Sequence, residues 1–175
     1  MQFKLSAVML ANLLTVLAAA TPTNKIPAPQ DGLVLSDTAE TADGTLSYYV
    51  SGPDSVTVTK RATCGASTIF CSNSYLADVN VCNALLNSIR SSDRVLDDST
   101  RSVCLSTEQT CCISWGANVQ ALHVSNLVPG ATNILNQCKG YTTSGFASGL
   151  ARTINLQGGC VVGCLSNRAK DCPKE

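Results

Sequence analysis

The stretch "CCISWG", residues 111–116, decides how the chain is to be read. Side chains along a β-strand point to alternate faces, so two adjacent cysteines on a strand serve opposite sides of a sheet. Cys111 and Cys112 therefore predict one bridge toward a helix beneath the sheet and one on the other side. Their task on this reading is structural. Immediately upstream, "RVLDDSTRSVCLS" (94–106) turns at Asp97-Asp98 and enters a strand from Ser102 to Leu105. "TEQT" (107–110) is the polar loop between the two strands.

Further out on either side the apolar period changes from two to between three and four. In "SYLADVNVCNALLNSIRSS" (74–92), Tyr75, Val79, Cys82, Leu86 and Ile89 lie on one helical face. Ser74 or Asp78 can cap that helix, and Cys82 on its inner stripe would pin it to the sheet. In "VSNLVPGATNILNQC" (124–138), Leu127, Ala131, Ile134, Leu135 and Cys138 share a face. Ser125 is its expected cap, and Pro129 falls in the first turn, where a missing N–H costs least. "ARTINL" and "CVVGCLS" flank Gln157-Gly158-Gly159, a hairpin signal. "CGASTIFCS" (64–72) reads as an initial strand, and the tail is clamped by Cys172. The order β-α-β-β-α-β-β predicts an α+β fold, a small disulfide-stabilised sandwich of one antiparallel sheet with two helices on one face.

The ends differ from this middle. "MQFKLSAVMLANLLTVLAAATP" has Lys4, an apolar run from Leu5 to Leu17 and then small residues. That is the pattern of a cleaved secretory signal, assigned to residues 1–20. Residues 21–61 are rich in Pro, Thr, Asp and Ala, with no helical period. They read as a disordered propeptide, with "LSYYVSGPDSVTVTKR" a loose strand at most. The segment ends at Lys60-Arg61, a dibasic pair of the kind cut in the secretory pathway. The expected product is 62–175, 114 residues, and a secreted, extracellular protein.

All ten cysteines follow the basic pair: Cys64, Cys71, Cys82, Cys104, Cys111, Cys112, Cys138, Cys160, Cys164 and Cys172. An even set at this density in an oxidising compartment predicts five bridges in a single domain, with the pairing left open. A zinc site would need histidine or cysteine partners at fixed spacing, and the chain has one histidine, so no metal is expected. Residues 62–175 carry eight Lys/Arg against seven Asp/Glu. There is no basic stripe for nucleic acid, and neither a nucleic-acid partner nor a bound cofactor is expected.

The catalytic templates find few residues. A Ser-His-Asp arrangement would have to use His123. Asp97-Asp98 read as a turn and Glu108 as a loop residue rather than a glycosidase pair. No cysteine is left over as a nucleophile. The sequence reads as a non-enzyme. The contact surface is expected in "KGYTTSGFASG" (139–149), where Lys139, Tyr141 and Phe146 stand on an adaptable glycine-rich backbone.

The run of motifs "YYVSGPD", Lys-Arg, "TCGAS", "RSVCLS", "CCISW", "GLARTINL" and "GGCVVGCLSNR" resembles a family of fungal secreted cysteine-rich proteins labelled WD-like. That resemblance implies secretion and a fold rather than an activity, and no propeller repeat accompanies the label. A looser resemblance is to the virus-encoded killer-toxin fold of fungi, an α/β sandwich with five disulfides. It implies block of calcium uptake through an exposed lysine, for which Lys139 and Lys170 are the candidates. The expected function is that of a secreted interaction protein or effector, a monomer acting on an unknown protein, cell-wall or membrane target of a host or neighbouring cell. A killer-toxin-like antimicrobial protein and a small secreted hydrolase are the alternatives.

Overall fold

In the computed structural model, which describes residues 32–52, 63–141, 143–170 and 172–173, the strand holding the two adjacent cysteines runs through the middle of a seven-stranded sheet. The elements in chain order are β1 (Leu33–Thr41), β2 (Gly44–Ser51), β3 (Ile69–Cys71), β4 (Ala77–Asp78), α1 (Val79–Arg90), β5 (Thr100–Ser106), β6 (Thr110–Trp115), a 3₁₀ turn (Val124–Asn126), α2 (Leu127–Cys138), β7 (Phe146–Ala147), β8 (Gly149–Leu156) and β9 (Gly159–Ser166). The sheet order is β1-β2-β5-β6-β9-β8-β3, antiparallel throughout. A small ribbon pairs β4 with β7. The α+β architecture expected from the sequence is present.

Both helices cover one face. Leu46 and Tyr48 of β2, Val103 and Leu105 of β5, Cys111, Ile113 and Trp115 of β6 and Leu165 of β9 pack with the inner stripes of α1 and α2 in one core. Helix α1 begins at Val79 because the Asp78 carboxylate accepts the amides of Asn80 and Val81, and it buries Cys82, Leu85, Leu86 and Ile89. Helix α2 buries the five residues its period singles out. Pro129 is its third residue. Ser125 lies in the 3₁₀ turn rather than at the cap, which is Asn126 and makes no side-chain cap bond.

The disulfides are Cys64–Cys160, Cys71–Cys138, Cys82–Cys111, Cys104–Cys112 and Cys164–Cys172, and all ten cysteines are paired. Cys111 reaches under the sheet to α1. Cys112 bridges on the opposite face to Cys104, its direct partner in the β5–β6 register. That second face carries a smaller cluster of Leu33, Tyr49, Cys104, Cys112 and Ala169. Ala169 comes from the tail, which the Cys164–Cys172 bridge holds down.

The reading of 21–61 as disordered is corrected over residues 32–52. These form the β1–β2 hairpin, turning at Ala42-Asp43, and β2 registers with β5 from Thr45↔Ser106 to Val50↔Thr100. The segment is poor in apolar residues taken alone, but it does not have to fold alone. Leu46, Tyr48 and Tyr49 bury against a surface some fifty residues downstream in the chain. Strand β5 is buried at all seven positions because β2 flanks it. The expected signal sequence, the Lys60-Arg61 pair and residue 62 lie outside the described residues.

Both edges of the sheet are blunted. Strand β1 carries Asp37 and Glu40 and has a register shift between Leu35 and Asp37, while β3 is three residues long.

Candidate functional site

Five large apolar side chains stand out in solvent among the described residues: Val34, Phe70, Tyr75, Val95 and Tyr141. The three aromatic ones sit on neighbouring segments at the β3 end of the sheet. Alternation explains Phe70. Ile69 and Cys71 face α2, where Cys71 is bridged to Cys138, so Phe70 must point to the face that no helix covers. Arg152 of β8 holds its guanidinium 5.3 Å from the Phe70 ring centre. Its backbone amide donates to Thr68 O, which fixes the pair in register.

Tyr75 follows in the turn after β3. Its φ is +55°, a left-handed conformation uncommon for a bulky side chain, and its surroundings hold it there. Its carbonyl accepts the Asn167 amide at 2.9 Å, and the Arg168 guanidinium lies over its ring. Tyr75 was expected on the stripe of the first helix. It lies four residues before that helix, because the Asp78 cap sets the start. Between Phe70 and Tyr75 runs a groove of about 260 Å³, whose other walls include Ser72, Ser148, Leu150 and Ser166. Two rings and several hydroxyls thus border one open depression, and a guanidinium lies against each ring.

The 139–149 segment adjoins this rim. The Ser72 amide donates to Ser148 O, the Val79 amide to Gly145 O, and β7 pairs with β4. Lys139 and Tyr141 are exposed, and Lys139 Nζ donates to Asn136 Oδ1 at 3.1 Å. Phe146 is half-buried opposite Asp78 in the ribbon. The two aromatics chosen together from the sequence therefore differ, one free of the fold and one partly built into it. Phe70, Arg152 and Arg168 were not singled out from the sequence. The signal available was the alternation in "TIFC", once Cys71 is known to face a helix.

The two turn aspartates have structural partners. Asp97 accepts the amide and hydroxyl of Ser99, which hold its carboxyl below the usual range, and Asp98 accepts the Ala121 amide. His123 is exposed and makes an isolated bridge with Val95. Among the described residues no group of three or more His, Cys, Asp or Glu side chains converges on one point, and no helix is long and apolar enough to cross a membrane.

No curated protein and no solved structure matches the chain, so the looser killer-toxin likeness finds no support in these comparisons. The family model described as fungal WD-like matches residues 23–172, a span that takes in the β1–β2 hairpin, all ten cysteines and the aromatic rim. The chain belongs to the fungal WD-like family.

Proposed function

We propose that this small cysteine-rich fungal-type protein is secreted and works as a non-enzymatic interaction protein on the surface of a host or neighbouring cell. The contact is made through the rim of Phe70, Tyr75 and Tyr141. The observation that carries this reading is the placement of Phe70 and Tyr75, both exposed and each under an arginine. Phe70 is in a strand beside the Cys71–Cys138 bridge, and Tyr75 is in a turn where its carbonyl accepts the Asn167 amide. Rigid aromatic anchors lose little conformational freedom on binding and dominate interface energetics. Ser74, exposed on the wall of the groove, supplies hydrogen-bond capacity beside them.

The test is binding of fluorescently labelled protein to intact cells. Phe70→Ser with Tyr141→Ser should keep the wild-type melting temperature and weaken binding at least tenfold, since anchor residues of this kind are worth about 2 kcal/mol or more. Unchanged binding by a normally folded variant would remove the rim from the account. The toxin-like alternative draws on the exposed Lys139. It requires that Lys139→Ala abolish growth inhibition of a sensitive fungus, whereas the surface-contact reading predicts a small effect.

A further inference from the structure

Every disulfide joins cysteines between positions 64 and 172. The hairpin of residues 33–51 contains no cysteine, so no bridge ties it to the body. Its seat is nonetheless extensive. Strand β2 registers with β5 over six residue pairs. Leu46 and Tyr48 enter the core under the helices, and Tyr49 enters the cluster on the other face. The Arg94 guanidinium stacks 3.8 Å over the Tyr48 ring and pairs with Asp37 of β1. Ser51 donates from its amide to Ser99 O at 2.8 Å and from its hydroxyl to Asn118. Along this seam runs an open groove of about 380 Å³, lined by Asp37, Tyr48, Arg94 and Asp97 among others. In the chain the basic pair Lys60-Arg61 stands between the hairpin and Cys64, the first bridged residue.

We propose that the β5 edge is a docking surface whose occupant is the 33–51 hairpin as a separate chain. Cut after Arg61, the protein matures into two chains, and the hairpin stays in the sheet by non-covalent contacts instead of leaving as a propeptide. The cut is a hydrolysis of the Arg61–Ala62 amide by a secretory protease of dibasic specificity. Water gives its hydroxyl to the Arg61 carbonyl carbon and a proton to the Ala62 nitrogen, leaving a new carboxylate and a new amine. The hairpin stays because its departure would turn a strand buried at seven of seven positions into an edge. Val103 and Leu105 would be uncovered on one face and Cys104 on the other. The family match spans both sides of the basic pair, as expected if both chains belong to the working unit. This inference is independent of the aromatic rim.

Intact mass spectrometry of the protein purified from culture medium tests it, under native conditions and in urea without reductant. The expected result is one native species that separates in urea into a hairpin chain ending at Arg61 and a bridged chain starting at Ala62. A single covalent mass under both conditions overturns the proposal, and so does a native species of residues 62–175 alone. The variant Lys60→Ala, Arg61→Ala should give one covalent chain in urea. Two chains from that variant would mean that the cut lies elsewhere, which also overturns the proposal.

Discussion

Gly149 shows how tightly the rim is built. A Cβ there would lie 2.7 Å from Cys138 Sγ and 2.9 Å from Phe70 O, contacts that neither a bridged sulfur nor a backbone carbonyl can relieve cheaply. Gly149→Ala should destabilise by about 1–3 kcal/mol, the usual range for overpacking. Gly65→Ala, with nothing within 4 Å of the new methyl group, is its control. Thermal melts of the two variants check this, and equal melting temperatures would contradict the packing described. The two loop aromatics separate in the same assay. Tyr141 is 65% exposed, so Tyr141→Ser should change stability by no more than about 0.5 kcal/mol. Phe146→Ser should cost more, on the order of 1 kcal/mol, because its ring is half-buried in the ribbon. No period claimed Tyr141 or Phe146, so the sequence alone did not separate the exposed ring from the half-buried one. The place of Tyr75 was not legible either. Its spacing to Val79 and Cys82 imitates a helical stripe, and only the capping bonds of Asp78 reveal that the helix has not yet begun.

At the scale of elements, the two helices and the β5–β6 and β8–β9 hairpins could be read from the sequence because each carries its own period and its own turn residues. The β1–β2 hairpin could not, since what orders it is a distant surface. Composition measures only what a segment can bury in itself. Tyr48 and Tyr49 give this element a pH signature. Burial raises both phenols above their ordinary value of 10.0. The folded state therefore holds protons that the unfolded chain loses first. Stability contributed by these groups is fully present below about pH 10 and is lost as pH rises through their folded values. Chemical denaturation between pH 8 and 11 should show a decline above pH 10 that is shallower in Tyr48→Phe, Tyr49→Phe. An equally steep decline in that variant would contradict the burial.

The bridges provide a second test at this scale. Cys64–Cys160 closes a separation of 96 residues and Cys164–Cys172 one of 8. With the Cys71–Cys138 bridge intact the first loop shortens to about 30 residues, and loop-closure entropy gives about 3.6 kcal/mol for the former and about 2.5 for the latter. The paired alanine replacements should lower the denaturation midpoint in that order. The reverse order would show that native packing around the tail, rather than restriction of the unfolded chain, sets the contribution.

For the whole molecule, the central claim is that the cysteine-free N-terminal segment and the cysteine-rich remainder form one sheet. The bridges, helices and rim organise residues 64–172, and the hairpin completes the sheet at the end opposite β3. Amide hydrogen exchange of the purified full chain, read by mass spectrometry of its peptides, tests this most directly. Residues 45–50 should exchange in the same slow class as their partners at 100–106, both far slower than an unstructured chain. Exchange of 45–50 at the rate of an unstructured chain, with 110–115 still protected, would contradict it.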